Sequence, residues 1–140
     1  FLEAQLDRVR AIRRGDADQW MFLKWAAKKY GAPETIRFLN TDEGFQICQK
    51  SGHPIECSLH GDIGPNGSRG STANLSTLGC KLNKGHDHSA AILDGVHSAA
   101  TCAEDQGYNK GPTTWSISHI GTFSNSKRQI LTEKVGRLWA

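Results

Sequence analysis

Apolar residues never run on for the roughly 20 positions that a membrane-crossing helix needs, so the sequence predicts a soluble protein with no membrane partner. It has no C-x-x-C pair, and Cys48, Cys57, Cys80 and Cys102 stand far apart. No secretory apolar segment opens the chain either. The four cysteines therefore read as reduced, mostly buried thiols of a cytoplasmic protein, not as a disulfide framework or a structural zinc site completed by His86 or His88. Charge of one sign is scarce: 17 basic residues against 14 acidic leave a net +3. That balance tolerates an anionic partner but falls far short of a nucleic-acid coat. Internal repeats, linkers and low-complexity segments are absent. An initial Met is missing too: the chain opens at Phe1-Leu2-Glu3 inside a helical pattern, which reads as a piece of something longer.

What is present is the composition of one folded unit, with 37% hydrophobic and 22% charged residues over 140 positions, enough for a modest core. Residues 1–34 read as helical. Leu2, Leu6, Val9 and Ile12 recur at helical spacing over 2–14, with Arg8, Arg10, Arg13 and Arg14 as a solvated helix end rather than a nucleic-acid patch. A second helix, capped by Asp16 or Asp18, runs through Tyr30 and stops at Gly31 and Pro33. Its Trp20 and Trp25 read as core or interface packing and offer a surface for a homo-oligomer. From 35 onward the period changes to two. Strands are expected at Ile36 to Leu39, Phe45 to Lys50, Pro54 to His60 and Cys80 to Leu82, with one helix over 68–78. Asp94-Gly95 marks a hairpin between Ala91–Leu93 and Val96–Thr101, and a second hairpin spans Trp115 to Val135.

The chemistry concentrates on histidines. Ile55, Cys57 and Leu59 share one strand face, which leaves His60 to emerge at the strand's end before a glycine-dense loop, Gly61 to Gly67. Gly85-His86-Asp87-His88 follows the next strand. Imidazoles at i and i+2 can diverge from a tight turn toward two metals roughly 4 Å apart, and glycine lets the backbone come close. His60, His86 and His88 are the candidate metal ligands, and metal-activated water is the chemistry they suggest. Arg69, beside Asn66 at the expected helix start, is placed to hold a substrate phosphate. Asp62 and Asp87 read as solvent-facing or as orienting a histidine. His53, His97 and His119 read as ordinary strand histidines. Lys127, Arg128, Lys134 and Arg137 make the last hairpin basic, which reads as a solvated hairpin or, in a nuclease, as a surface holding a phosphate backbone.

Leu59-His60-Gly61, Gly85-His86-Asp87-His88 and Asp94-Gly95-Val96 together resemble the C-terminal half of a calcineurin-like metallophosphoesterase. The run from His60 to Ser71, with Trp115 and Lys127-Arg128-Gln129, is similar to metallophosphatase-like proteins of tailed phages and their DNA-transfer nucleases. The resemblance covers roughly residues 55 to 135. It implies an α/β fold with a layered sheet of the metallophosphoesterase type, this chain supplying the C-terminal half with N-terminal helices and C-terminal β-hairpins. It implies two divalent ions, taken as Mn with Zn, Fe, Mg and Ni as alternatives. His60 and His86 would sit on one ion and His88 on the other, and activated water would attack phosphorus in line.

The family's early motifs, Asp-x-His, Gly-Asp-x-x-Asp and Asn-His-Asp/Glu, do not occur upstream of His60. The bridging carboxylate and the catalytic histidine are therefore expected from a partner, the N-terminal half of the same domain, carried by a companion chain or a segment outside this sequence. Alone, this chain is expected to be inactive. The expected function is phosphodiester hydrolysis, as a DNA nuclease in the cytoplasm of a phage-infected bacterium. The competing expectation is a non-catalytic binding or structural module that has lost the early motifs.

Overall fold

The computed structural model describes residues 6, 9–10, 22–39, 43–102 and 112–135, and the chain divides into two compact units, Phe1–Thr41 and Asp42–Ala140. In the first unit Leu6, Val9 and Arg10 are helical, where the first helix is expected; the rest of 2–14 and the start of the second helix lie outside the described residues. Helix α1, Phe22–Lys29, carries Lys28 and Lys29 in its last turn, where cations complement the free carbonyls. It ends as Gly31 predicts. Gly31 takes φ +70, Ala32 N–H donates to Ala27 O at 2.8 Å and Gly31 N–H reaches Lys28 O at 3.4 Å, a left-handed cap that satisfies the last carbonyls. The strand expected at Ile36 to Leu39 does not form. Ile36 N–H is spent on Pro33 O at 3.1 Å, so a turn takes the donor that a ladder would need.

The second unit is a mixed α/β fold. Strands β1 (Gln46–Ile47), β2 (Ile55–Glu56), β3 (Lys81–Lys84), β4 (Ala91–Leu93) and β5 (Val96–Ser98) form one sheet in the order β1-β2-β3-β5-β4. β1 is antiparallel to β2, β4 is antiparallel to β5, and β2, β3 and β5 are mutually parallel through Glu56↔Leu82 and Leu82↔Val96. Parallel neighbours need a crossover. Residues 57–80 supply it, and within them lies helix α2, Thr72–Ser76. Ser71 caps α2 by accepting from Asn74 N–H at 3.2 Å, so the helix expected over 68–78 shrinks to five residues. The glycine loop occupies the rest of that span, with a single 3-10 turn at Pro65–Gly67.

Leu75 of α2 meets Leu82 and Val96 of the central strands, with Leu59 packed against them, and Ile55, Leu75, Leu82 and Val96 are buried almost completely. Each such side chain contributes about 1.5–3 kcal/mol on burial, so this small cluster is what fixes the crossover on the sheet. The β4–β5 hairpin forms as Asp94-Gly95 predicts, with both turn residues at positive φ, +41 and +86.

Strands β6 (Ser116–Thr122) and β7 (Arg128–Val135) form the second hairpin. Arg128 is not part of a phosphate-binding surface. Its guanidinium donates to Leu82 O at 2.9 Å, Asn83 Oδ1 at 3.0 Å and Gly95 O at 2.7 Å, which clamps β7 to the carbonyls of β3 and the β4–β5 turn. A fork of donors on a planar cation suits that task. Lys127 is exposed, the side chain of Lys134 is not described, and Arg137 lies outside the described residues. The cysteines also depart from expectation. All four are free thiols, but Cys80 and Cys102 are exposed and Cys48 and Cys57 half-buried.

Candidate functional site

Because β2 and β3 are parallel, the chain leaves both at the same edge of the sheet. His60 follows β2 and Gly85-His86 follows β3. Gly85 N–H donates to His60 O at 3.1 Å, so the two exits are tied by backbone, and the His60 and His86 rings meet edge to face with centroids 5.2 Å apart. Both residues are exposed. Residues 57–60 and 83–85 line an open cleft of about 340 Å³. The carboxyl ends of parallel strands are where α/β sheets place ligands, and this cleft is at such an end.

The His86 turn is unusual in its backbone. Asp87 N–H donates to Gly85 O at 3.0 Å across His86, and His86 sits at φ +75, the sign of the rare, strained γ-turn. His88 is left-handed as well, at φ +57. Such conformations cost on the order of 1–3 kcal/mol each and persist only where the surroundings impose them. The surroundings here are polar. Asp87 Oδ2 accepts from Thr72 Oγ1 at 2.9 Å and from Lys84 Nζ at 2.5 Å, and the Lys84 side chain is fully buried. Burial would raise the Asp87 carboxyl, but the hydrogen bonds from Lys84 and Thr72 and the charges of Lys84 and His86 outweigh it and hold the group below the usual carboxylate range. His88 packs edge to face on Trp115 at 4.6 Å and accepts at its carbonyl from Ser116 N–H at 3.1 Å. Its Nδ1 is buried with no hydrogen-bond partner among the described residues.

Of the candidate ligands, then, the structure brings His60 and His86 together and turns His88 to the hairpin. Among the described residues no group of three or more His, Cys, Asp or Glu side chains is arranged to hold a metal. Asp62 is exposed on a bend beside Gly61. Asp87 binds Lys84 and Thr72, not an imidazole. Asn66, exposed at φ +57, lies in the 3-10 turn, and Arg69 is exposed and bridged to Ile63. Arg69 does not stand at a helix start: α2 begins three residues later behind the Ser71 cap, and what holds Arg69 is Asn74 Nδ2 donating to its carbonyl at 2.8 Å. The loop closes tightly, since a Cβ at Gly70 would lie 2.5 Å from Gly61 O. His53 and His119 are exposed, and His97 is buried in β5. Two contributors escaped sequence reasoning, Lys84 and Thr72, and Trp115 entered it only through the resemblance, without its contact to His88. One signal for Lys84 was available, because it stands two positions after Leu82 in β3 and shares that residue's buried face.

Over 125 residues the chain is 40% identical to Protein A1 of Escherichia phage T5, an alignment covering 88% of this chain and 21% of that protein. The chain thus spans about a fifth of the length of this curated relative. No protein-family profile and no solved structure matches it. The likeness to Protein A1 fits a phage origin for this chain.

Proposed function

We propose that the Asp42–Ala140 unit supplies the histidine side of a two-metal site in a DNA-cleaving phosphodiesterase of the metallophosphoesterase type, working in the bacterial host of a phage. The observation that carries this reading is the His60–His86 pair, two exposed imidazoles 5.2 Å apart at the carboxyl ends of adjacent parallel strands. The donor set fits a divalent transition ion, for which imidazole is a common ligand. His60 and His86 would hold one ion; the resemblance gives His88 to a second, and in this structure the His88 ring packs on Trp115 with its Nδ1 buried. When bound, such ions polarise phosphoryl oxygens and lower the pKa of water. Manganese is the metal assigned by the resemblance. The strained γ-turn sets the His86 ring against that of His60, which lines the cleft, and Trp115 packs on the His88 ring. Arg69 and Asn66, exposed on the loop that leaves His60, hold the substrate phosphate. The carboxylates come from a companion chain or a segment outside this sequence, for which the one-fifth coverage of Protein A1 leaves room.

The test is Mn-dependent cleavage of double-stranded DNA by the longer protein that contains this chain. His86→Ala should abolish cleavage while leaving the folded state intact, as judged by thermal unfolding. Undiminished cleavage by that variant would sink the reading. The binding-module reading has one observation in its favour, that the carboxylate nearest the histidines in sequence, Asp87, is taken up by Lys84 and Thr72. It predicts no cleavage by the wild-type protein with any divalent metal.

A further inference from the structure

We propose that Lys84 is a positioning residue, whose buried ammonium locks the segment carrying His60 to the turn carrying His86. The inference rests on the functional reading above for its metal, but not for its geometry. Lys84 ends β3 on the core side, two residues after Leu82, at a position where an aliphatic side chain would be expected. Its ammonium is the ion-pair partner of Asp87, and Thr72 of α2 donates to the same carboxylate oxygen. Asp87 is the residue between the two left-handed histidines. Lys84 and Thr72 therefore hold the middle of the strained turn from below.

The same side chain reaches the other histidine segment. Gly61, at φ +111, directly follows His60, and a Cβ built there would lie 2.5 Å from Lys84 Cε, 3.1 Å from Lys84 Nζ and 3.2 Å from Gly85 O. The lysine stem thus fills the space a side chain at 61 would take. Gly61 is required both by its backbone angle and by the lysine lying against it. One buried cation therefore contacts the residue after His60 and binds the residue after His86, and the Gly85–His60 backbone bond closes the frame at 3.1 Å. A leucine or methionine at 84 would fill the volume but would leave Asp87 with Thr72 alone. Groups that orient metal ligands from outside the coordination sphere are typically worth about 10–100-fold in metal affinity.

The experiment compares wild-type, Lys84→Met and Lys84→Met/Asp87→Asn forms of the longer protein by Mn titration and by amide hydrogen exchange at Gly85 and Asp87 without metal. The expected result is a 10-fold or greater loss of Mn affinity in the single variant, with faster exchange of both amides. The double variant removes the stranded carboxylate charge, so it should recover thermal stability while Mn affinity stays low. A role in stability alone predicts instead that the double variant recovers both, and that result overturns the proposal. Unchanged exchange at Gly85 and Asp87 in Lys84→Met overturns it whatever the metal does. If wild type binds no Mn yet both amides lose protection in the variant, the metallophosphoesterase reading fails and the positioning of the turn by Lys84 stands.

Discussion

Two tight turns in the same sheet solve the problem of positive φ in opposite ways. The β4–β5 turn puts its left-handed angles on Asp94 and Gly95, residue types that accept them locally, and any chain with that dipeptide between two apolar runs would fold similarly. The turn after β3 puts them on His86 and His88, which gain nothing locally from the conformation. Its support comes largely from other elements, Thr72 on Asp87, Trp115 against His88 and the Gly85–His60 bond, joined by the buried Lys84 three residues before Asp87. A turn that is held from outside against its own preference is the kind that functional sites use. The contrast is sharp enough to be broken by mutation.

The largest effect should come from removing the support. Lys84→Met leaves Asp87 partly buried without its ammonium. Breaking a fully buried pair typically costs about 3–5 kcal/mol, and with the Asp87 side chain one-fifth exposed the expected loss is about 2–3 kcal/mol, read as a lower urea midpoint at unchanged slope. A loss below about 0.5 kcal/mol would place the pair among ordinary surface salt bridges and remove the basis for calling this turn externally held. Gly70→Ala should come next. Its Cβ would meet Gly61 O at 2.5 Å and Ile63 O at 2.8 Å, backbone atoms that cannot step aside, and overpacking of that kind costs about 1–3 kcal/mol. Thermal unfolding of that variant checks it.

A smaller pair of effects has opposite signs at the two turns. Gly95→Ala forces a Cβ into φ +86 and should destabilise by about 1 kcal/mol. His86→Gly relieves a left-handed histidine that is exposed and whose ring meets that of His60, so it should be neutral or stabilising by up to about 1 kcal/mol. Parallel urea titrations decide. If both variants lose stability equally, the histidine turn carries no strain and the contrast fails.

How much of this was legible in the sequence follows the same division. The β4–β5 turn, the β6–β7 hairpin and the end of α1 at Gly31 are set by residues within a few positions of one another, and each appears where the local pattern puts it. The convergence of His60 and His86 was half legible: strand ends were readable, but the parallel pairing of β2 with β3 that sets them side by side is a long-range choice. The features that failed depend on contacts that the periodic pattern does not encode. The helix over 68–78 yields six of its residues because Gly61, Gly64 and Gly70 pack backbone on backbone instead. Arg128 reads as one more surface cation until Leu82, Asn83 and Gly95 are in place around it. Lys84 shares the buried face of Leu82 in the period-two pattern, but nothing in that pattern tells that Asp87, three residues on, folds back over it.

The smallest effect separates the two turns by pH. His97 lies in β5 two residues after Gly95, on the strand whose turn Arg128 clamps, and it is buried. Burial first, and the Arg128 charge second, hold its pKa below the ordinary 6.5. The folded state thus binds fewer protons than the unfolded state, and stability contributed by the neutral ring is present above about pH 6.5 and lost as pH falls from there toward the lower folded value. Asp87 and Glu56 are lowered as well, below 3.8 and 4.5, so their window lies in stronger acid. What they contribute is present above those values and disappears only in stronger acid. Between pH 7.5 and 5.5, therefore, the β5 side of the sheet should weaken while the Lys84–Asp87 support is untouched. Urea unfolding at the two pH values should show wild type less stable at 5.5 by a fraction of a kcal/mol to about 1 kcal/mol, and His97→Gln should flatten that slope. Lys84→Met should leave the slope as it is, because its partner does not titrate in that window. A slope that vanishes in Lys84→Met instead would mean that the two turns share one electrostatic unit, and the division between a locally specified turn and an externally held one would have to be given up.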